Sequence, residues 1–355
     1  MQNQHPRRLM NAVLVTGAFG LVGSAVVRQL AADGRSVVAT DLDNAANRKA
    51  AAALPPAVQV RYADLTDAAA VASLVDSVRP AAIIHLAAVI PPFIYSRRDV
   101  ARRVNVDATG HLLAAAAAPS RFVQASSIAV YGSRNPYTVS GVLTADTPTH
   151  PADVYGDQKL QAEQLVRASP LDWVILRLGG VITVDPGAYM KLDNLYFEQL
   201  LPTDGRLQTV DVRDVASAFV AATTAPVSGE TLLIGGDDSH RQIQGDIAPT
   251  VAAAMGLVNG LPPGLPGNPD HDEDWFTTDW MDSGRAQEAL GFQHHSWPDM
   301  LAETATRAGA LRGLLRMVAP LARRVLQSRA PYHRSGQQFA DPWRAIADKW
   351  NEPRP

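Results

Sequence analysis

Tyr155 and Lys159 are the residues whose types and spacing first suggest chemistry. A separation of four residues places both side chains on one face of a helix. A tyrosine has an ordinary pKa of about 10, and a neighbouring ammonium would favour the phenolate and make the hydroxyl a usable proton-transfer group. Such pairs are common on helices, so the significance of this one depends on what the chain places near it.

Two adjacent serines, Ser126 and Ser127, follow an apolar segment that is typical of a buried strand. Open α/β sheets bind their ligands at the carboxyl ends of the strands. A serine hydroxyl at that edge could hydrogen-bond a substrate oxygen and orient it toward Tyr155.

The stretch 16–23, Thr-Gly-Ala-Phe-Gly-Leu-Val-Gly, lies where the first predicted strand passes into the first predicted helix. Gly17 permits a tight turn, Gly20 lets the backbone approach a pyrophosphate, and Gly23 allows close packing of helix on strand. The amino end of the helix would face the anion. The strand–turn–helix context therefore predicts a dinucleotide site.

Asp41 ends the second predicted strand, at nearly the distance from the glycine turn expected of an acid that binds a ribose 2′-hydroxyl. A carboxylate there would repel a 2′-phosphate, so the sequence favours NAD, with NADP the less favoured cofactor. Asp64 and Leu65 leave the third strand and could flank the adenine.

Apolar, often β-branched segments that predict strands alternate with helical stretches through the first half of the chain. The predicted strands are 12–16, 36–40, 58–62, 82–86, 121–126 and 173–178, and the predicted helices between them are 20–32, 68–78, 100–118 and 155–168. Continuous apolar strands in this rhythm indicate a parallel sheet that is covered on both faces.

The predicted fold class is α/β, a Rossmann-type doubly wound parallel sheet with helices on both faces and a smaller C-terminal substrate-binding part. We assign residues 11–178 to the NAD-binding domain, with returning segments near 209–236. Residues 179–208 and 237–330 form the substrate-binding part. Residues 331–355 are expected to be a surface tail with a short amphipathic piece at 343–350.

Composition excludes several classes of protein. The 355 residues are 46% hydrophobic and 19% charged, which suits one or two packed domains. The net charge of −3 offers no basic field for nucleic acid. The absence of cysteine excludes disulfides, iron–sulfur clusters and thiol nucleophiles, and it is compatible with a cytoplasmic location.

Arg7 and Arg8 resemble the paired arginines of an export signal, but no clear cleavage site follows them.

Metal binding is not predicted. The acidic stretch 270–274 lacks the spacing of a Ca²⁺ loop and is typical of a solvated surface loop. His294 and His295 have no partner ligands at a recognisable spacing and indicate a turn.

The sequence resembles the extended short-chain dehydrogenase/reductase family, specifically its NAD-dependent epimerase/dehydratase group, over about residues 11–295. The resemblance depends on several motifs that occur in order. They are the glycine turn at 16–23, Asp41, Asp64-Leu65, HLAA at 85–88, NVD at 105–107, SSIAVYG at 126–132, Tyr155 with Lys159, LRL at 176–178, VDVRDVA at 210–216, and Asp282 followed by LGF at 290–292.

The resemblance implies roles for individual residues. Tyr155 would be the general acid/base, and Lys159 would hold the nicotinamide ribose and lower the tyrosine pKa. Ser127 would bind the reacting oxygen, with Ser126 as a second candidate. Asn105 would support the active-site helix or a proton relay, although a hydrogen bond within its own helix explains it equally well. The implied cofactor-binding residues are Gly17, Phe19, Gly20, Leu21, Val22, Gly23, Asp41, Asp64, Leu65, Leu86, Ala87, Ala88, Asn105, Ala125, Tyr155, Lys159, Gly180 and Val181.

Two departures from the family pattern bear on the substrate. Nucleotide-sugar enzymes of the group usually carry an asparagine after the Leu-Arg strand, where this chain has Gly179 and Gly180. They also often carry an arginine that clamps the diphosphate, whereas here Leu207 takes that place and Arg206 lies one residue out of register. With the bulky apolar segment at 89–95, these departures favour a less polar alcohol or ketone.

The sequence thus predicts an NAD(P)-dependent oxidoreductase that acts on a small-molecule alcohol or carbonyl. A nucleotide-sugar epimerase or dehydratase with retained NAD is the second possibility, and a non-catalytic dinucleotide-binding regulatory protein is the third. By resemblance, a homodimer would pair the helices 100–118 and 155–168.

A basic amphipathic helix is predicted within 305–328, with Leu314, Val318 and Leu321 on one side and Arg316 and Arg323 on the other. Such a helix can cover an apolar edge of its own domain or of a partner subunit, or it can lie on an anionic membrane. We favour packing over membrane contact.

Overall fold

A computed structural model describes residues 11–185, 187 and 192–351, so Arg7 and Arg8 lie outside the described residues. Within these ranges, ten strands form two sheets. The strands are β1 (Val13–Thr16), β2 (Val37–Asp41), β3 (Gln59–Tyr62), β4 (Ala82–His85), β5 (Arg121–Ser127), β6 (Asp172–Leu178), β7 (Gly180–Ile182), β8 (Arg206–Asp211), β9 (Glu230–Ile234) and β10 (Arg241–Ile243).

The large sheet has seven parallel strands in the order β3-β2-β1-β4-β5-β6-β9. The order reverses between β1 and β4, and this is the switch point at which doubly wound sheets bind ligands beyond their carboxyl ends. The predicted Rossmann-type sheet is confirmed.

Helices complete the fold. They are α1 (Leu21–Ala32), α2 (Ala45–Ala51), α3 (Ala68–Val78), α4 (Arg98–Arg102), α5 (Ala108–Ala115), α6 (Val154–Ala168), α7 (Leu192–Leu200), α8 (Val212–Ala222), α9 (Gln244–Ala254), α10 (Gly284–Leu290), α11 (Trp297–Ala308), α12 (Leu311–Ser328) and α13 (Pro342–Trp350). Within the described ranges, no helix is long and apolar enough to cross a membrane.

Successive side chains of β1 point to opposite faces of the large sheet, and both faces are covered by helices. Val13 and Val15 face a core built with α1, α8 and α10, whereas Leu14 faces a second core built with α3 and α5. All three side chains are fully buried. A strand that buries both faces must be apolar throughout, as the sequence of β1 is.

A second, three-stranded sheet has the order β10-β8-β7. The strand β9 lies at the edge of the large sheet beside β6, whereas β8 pairs with β7 and β10. The helix that follows β8, α8, returns to the large sheet and packs along α1.

The predicted helix 100–118 is not continuous. α4 passes into a π-helical turn, Arg103–Asp107, before α5 begins. A π-helical turn widens the backbone spiral locally and is frequent at functional sites. Here it contains Asn105, whose side chain leaves its own helix to bind its neighbours.

The expectation of a surface tail after residue 330 is wrong for the segment 342–350. This segment forms α13, which buries Trp343 and Ile346 in an aromatic cluster with Tyr95 and Phe197. The indole of Trp343 donates to the carbonyl of Glu273 at 2.8 Å, which fixes α13 to the turn Asp272–Asp274.

The apolar side of α12 is not covered by other described parts of the protein. Leu315 packs beside the cluster of α9 and α11, and Ala319 is buried, but Leu314, Met317 and Leu321 are exposed. Of the two forms of packing that the sequence left open, burial against the chain's own domain is not what the structure shows, because α12 contacts the body of the protein through a different face that contains Leu315 and Ala319.

The helix α6 is held against β5 and β6 by a buried ion pair. Glu163 receives two hydrogen bonds from the guanidinium of Arg177, at 2.8 and 2.7 Å, and one from the Ser126 hydroxyl at 2.6 Å. Arg177 also donates to the phenol of Tyr131 at 2.7 Å. The hydrogen bonds and charge of Arg177 lower the pKa of Glu163 although its burial acts in the opposite direction.

We expect Glu163→Gln to lower the free energy of unfolding by about 3–5 kcal/mol, because the buried guanidinium would lose its counter-charge. Denaturant unfolding measures this. The control is Glu288→Gln, which removes an exposed partner of Arg285 and should cost less than about 1 kcal/mol. Equal losses from the two variants would contradict the assigned importance of the buried pair.

Candidate active site

The glycine turn lies at the switch point of the large sheet. Gly17 has a φ of +64°, and a Cβ there would meet the backbone nitrogen of Ala87 at 2.7 Å. A Cβ on Gly23 would meet the carbonyl oxygen of Gly17 at 2.1 Å. Gly20 differs, since its nearest contact would be an ordinary 3.4 Å, so nothing within the chain requires glycine at 20.

The helix α1 begins at Leu21 without a side-chain cap on its first turn, so its amino end offers free backbone N–H groups beside the turn. Val22, half-buried, packs on the core below it together with Phe19. The structure therefore brings Phe19, Leu21 and Val22 to the place that the sequence predicted for a pyrophosphate.

Asp41 ends β2 beside the same turn. Its carboxylate accepts from the backbone N–H of Phe19 at 3.4 Å and from the side chain of Asn47 at 3.2 Å. Asp64 follows the adjacent strand, where it accepts from the backbone and hydroxyl of Thr66. Leu65 is buried in the core, so its side chain cannot face an adenine.

Buried hydrogen bonds of His85 connect the carboxyl end of β4 to the carboxyl end of β1 and to α5. His85 bonds the Thr16 hydroxyl at 2.7 Å and the Thr109 hydroxyl at 3.1 Å. Burial, together with the nearby charge of Lys159, lowers the pKa of His85 to about 3, so the ring is neutral near pH 7. The chain after His85 passes beside the glycine turn. Three half-buried residues lie there, Leu86, Ala87 and Ala88.

Ser127, Tyr155 and Lys159 converge at the carboxyl end of β5. The Nζ of Lys159 lies 5.9 Å from the centre of the Tyr155 ring and donates to the carbonyl oxygen of Ala125 at 3.0 Å. The hydroxyl of Ser127 interacts with the phenol of Tyr155. Ser126 points instead to Glu163, so the geometry favours Ser127 over Ser126 as the group that faces a reacting oxygen.

Burial determines the charge states of this group. It raises the pKa of Tyr155 above its ordinary value, with the hydrogen bond from Ser127 acting in the opposite direction. It lowers the pKa of Lys159 to about 8, with the carboxylate of Glu163 opposing the shift. A net lowering of the tyrosine pKa was expected, and the structure shows the opposite direction, because desolvation of the phenolate is the largest effect on this group.

Asn105 connects the helix α6 to the loop after β4. Its side-chain oxygen accepts from the backbone N–H of Val89 at 2.8 Å, and its nitrogen donates to the carbonyl of Val89 and to the side chain of Gln158. All of these bonds leave its own helix. Of the alternatives for Asn105, the contacts favour support of the active-site helix.

Gly180 and Val181 lie in β7, one residue beyond the end of β6, where Gly180 pairs with Thr209. Val181 packs against the apolar core of the large sheet. These residues follow the carboxyl end of β6, which pairs with the end of β5 where Ser127 lies.

Two features at this site were missed in the sequence. Asp153 caps α6, accepts from the Gly156 N–H at 2.8 Å and from the Tyr95 hydroxyl at 2.7 Å, and so fixes the turn that carries Tyr155. An aspartate just before a helix is the signal for such a cap. Glu163 follows Lys159 by four residues, the spacing of an ion pair on a helix.

An aromatic cluster packs against the half-buried Tyr155. It includes Tyr95, Phe197, Phe276 and Trp350, with ring centres 5.6–6.3 Å apart along the chain of contacts. Within the segment 89–95, Ile94 and Tyr95 are buried in this cluster, whereas Ile90 and Phe93 are exposed.

Arg206 is engaged within the protein. It donates to the carbonyls of Gly141 and Pro136 at 3.1 and 2.8 Å, and its guanidinium lies 5.1 Å from the Trp280 ring centre. It also pairs with Asp279 at 3.7 Å. An arginine held in this way fastens the loop 136–141, so it is not free to clamp a diphosphate.

The other charged motifs form internal contacts. Asp272 accepts from Asn135 and Thr138, and His295 bonds the buried carboxylate of Asp214 at 2.6 Å. Throughout the part of the chain that the structure describes, no group of three or more His, Cys, Asp or Glu side chains could hold a metal ion.

We expect Gly20→Ala to weaken NAD binding by about ten- to a hundredfold, because the added methyl occupies space needed by the pyrophosphate. Its free energy of unfolding should stay within about 1 kcal/mol of the wild type. Gly23→Ala, the control, should instead destabilise the fold by about 3 kcal/mol or more, since the clash is with backbone. Calorimetric titration with NAD measures the loss of affinity, and denaturant unfolding measures the loss of stability. Unchanged NAD affinity in Gly20→Ala would contradict the assignment of Gly20 to the pyrophosphate site.

Comparison with known proteins identifies the family. The model of the NAD dependent epimerase/dehydratase family matches residues 13–235. The chain is 29% identical over 303 residues to a dTDP-glucose 4,6-dehydratase of Neisseria meningitidis, covering 76% of this chain and 81% of that protein. It is also 29% identical over 321 residues to a 3-diazoavenalumate denitrifying reductase of a Streptomyces species, covering 81% of this chain and 98% of that protein. It spans about half the length of other curated relatives.

Among solved structures, a short-chain dehydrogenase/reductase superfamily protein from Agrobacterium tumefaciens with bound NAD is similar, with a TM-score of 0.65 and 25% identity over 88% of this chain and 100% of that chain. The family match spans more than half of the present chain. The protein therefore belongs to the NAD-dependent epimerase/dehydratase family and is an NAD-dependent enzyme.

Proposed function

We propose that the protein is an oxidoreductase that transfers hydride between NAD and an alcohol or carbonyl group of a largely apolar substrate. The observation that carries the proposal is the aromatic cluster of Tyr95, Phe197, Phe276 and Trp350 beside Tyr155. Aromatic rings bind apolar surface well and offer few partners for the hydroxyls of a sugar.

The proposed chemistry divides between cofactor and chain. When bound, NAD supplies or accepts the hydride at its nicotinamide. Ser127 binds the reacting oxygen, and Tyr155 moves the proton to or from that oxygen. Because burial raises the pKa of Tyr155, the phenol is protonated near pH 7 and is ready to donate to a carbonyl.

Lys159 is proposed to bind the nicotinamide ribose while its charge stabilises the phenolate that forms when Tyr155 gives up its proton. With a pKa of about 8, the side chain is mainly an ammonium at pH 7. Asn105 is proposed to act as a positioning residue, because it joins the backbone of Val89, after β4, to the side chain of Gln158 on the helix that carries Tyr155.

The remaining cofactor contacts follow the strand ends. We propose that Gly17, Gly20 and Gly23, with the first turn of α1, hold the pyrophosphate. Asp41 would bind the adenosine ribose with Asp64 beside it, and Leu86, Ala87, Ala88, Ala125, Gly180 and Val181 would line the path toward the nicotinamide. The negative charge of Asp41 at the end of β2, which would repel a 2′-phosphate, supports NAD over NADP.

A nucleotide-sugar epimerase or dehydratase is the second candidate, and the similarity to a dTDP-glucose 4,6-dehydratase favours it. Against it stand the engagement of Arg206 with loop 136–141 and the glycines that replace the expected asparagine. The similarity to a reductase along nearly its whole length supports a net redox reaction.

We further propose a cytoplasmic homodimer. The absence of cysteine is compatible with a cytoplasmic location. Val100 on α4 and Leu165 on α6 leave apolar side chains exposed on the helices that would pair. The mass of the protein in solution, one chain or two, tests the pairing.

A panel of aromatic and aliphatic alcohols and carbonyls, assayed by the absorbance of NADH, tests the proposed reaction. We expect net formation or consumption of NADH, and Tyr155→Phe should lower kcat by about 10²–10⁴ while NAD still binds, because only the proton-transfer group is lost. Inverted sugar product without net NADH change would instead establish the epimerase. NAD binding without turnover of any kind would establish a regulatory protein.

The adjacent serines provide a matched control for this assay. Ser127→Ala should lower kcat by about tenfold or more, because the reacting oxygen loses a hydrogen bond in the transition state. Ser126→Ala should lower the free energy of unfolding through its lost bond to Glu163 and leave kcat nearly unchanged. The reverse result would exchange the two roles.

We expect Asp41→Ala to reduce the preference for NAD over NADP by about tenfold or more, since it removes both a ribose hydrogen bond and the repulsion of a 2′-phosphate. The ratio of kcat/KM for the two cofactors measures this. Asp43→Ala removes a carboxylate two residues away that pairs with Arg48, and it should leave the ratio unchanged. An unaltered ratio in Asp41→Ala would remove Asp41 from the cofactor site.

A further inference from the structure

The helix α12 exposes a continuous apolar stripe along its length. Its members lie on one side of the helix and expose between 38% and 74% of their surface. They are Leu311, Leu314, Met317, Val318, Leu321 and Val325. Six aliphatic and thioether side chains in one row are far more than the scattered exposed apolar residues of an ordinary surface.

The body of the protein contacts a different face of α12. Leu315 packs beside Ile247 and Trp297, Ala319 is buried, and the backbone of Arg312 lies against Gly256. The stripe is turned away from these contacts by about a quarter of the helix circumference, as the spacing of 3.6 residues per turn requires. The helix is therefore anchored to the protein along one side while its apolar row faces outward.

The charge around the stripe has one sign. The segment 309–340 contains six arginines and no acidic residue, so it carries +6 in a chain whose net charge is −3. The arginines are Arg312, Arg316, Arg323, Arg324, Arg329 and Arg334. None of these six forms an ion pair within the described residues, whereas most of the other arginines that the structure describes do.

We propose that α12 is a peripheral membrane anchor that lies in the surface of an anionic lipid bilayer, with the stripe inserted among the acyl chains. A helix with an aliphatic face and an arginine-rich polar face is the structure that binds in this position. The arginines would remain within a Debye length of the lipid headgroups, where each basic residue adds to the attraction.

Charge complementarity favours lipid over a second copy of the chain. Two copies that paired stripe to stripe would bring together two segments of +6 with no acidic residue in either. An anionic lipid surface supplies the opposite charge along the whole helix, and its acyl chains can receive side chains as different in shape as leucine and methionine. The proposal is independent of the reaction and would stand if the substrate assignment failed.

Co-sedimentation with phosphatidylcholine vesicles, with and without phosphatidylglycerol, tests the proposal. We expect the full chain to bind the anionic vesicles at least about tenfold more tightly than the neutral ones, and to leave them at about 1 M salt. Arg316→Gln/Arg323→Gln/Arg324→Gln should weaken binding by about ten- to a hundredfold. Leu314→Asp/Leu321→Asp should abolish it.

The matched control is Arg61→Gln/Arg79→Gln/Arg103→Gln, which removes three exposed arginines outside α12 and changes the net charge equally. It should bind vesicles like the wild type. Retained NAD binding shows that each variant is folded. Absence of vesicle binding by the wild type, equal binding to neutral and anionic vesicles, or equal losses from both arginine triples would overturn the proposal. So would a dimer that Leu314→Asp/Leu321→Asp converts to a monomer while vesicle binding persists, since the stripe would then be a self-association surface.

Discussion

The buried carboxylate of Glu163 is the group on which the geometry of the candidate site depends. It joins three elements at once, because Arg177 reaches it from β6, Ser126 from β5, and Lys159 precedes it by one turn of α6. An ion pair in the interior is stable only when its remaining lone pairs and protons are satisfied, and here the guanidinium and the carboxylate both are. The helix that presents Tyr155 is thereby held at one rotation relative to the strand that presents Ser127.

That rotation places a phenol and an ammonium in an environment that disfavours the charged form of both. Burial raises the pKa of Tyr155, which keeps the phenol protonated. Burial lowers the pKa of Lys159 to about 8, which brings it closer to pH 7. Glu163 opposes the shift at Lys159 and so helps to keep the amine protonated. The carboxylate thus links the stability of the fold to the charge on which the proposed proton transfer depends.

The order and type of the elements in the first half of the chain could be predicted from the sequence, because most of the strands β1 to β6 are short, largely apolar runs separated by helices and a glycine turn. Convergence of Ser127, Tyr155 and Lys159 followed from their positions at strand ends and on one helix face. What could not be predicted arises from contacts that are distant in sequence. The π-helical turn at Asn105 leaves no periodic signal, and the partners of Arg206 come from loop 136–141 and Asp279.

The C-terminal helices α12 and α13 also show that contacts distant in the chain cannot be predicted from sequence. Periodicity identifies an amphipathic helix, but it does not identify what covers the apolar side of that helix. The apolar side of α13 is covered by the protein, where Trp343 and Ile346 complete the aromatic cluster beside Tyr155. The apolar side of α12 is left exposed, although its sequence pattern is the stronger of the two. The short connection between these helices, 329–341, means that the wall of the proposed substrate site and the proposed lipid-binding surface belong to one continuous stretch of chain. An enzyme whose substrate is apolar gains from such an arrangement, because a membrane is where apolar alcohols and carbonyls concentrate.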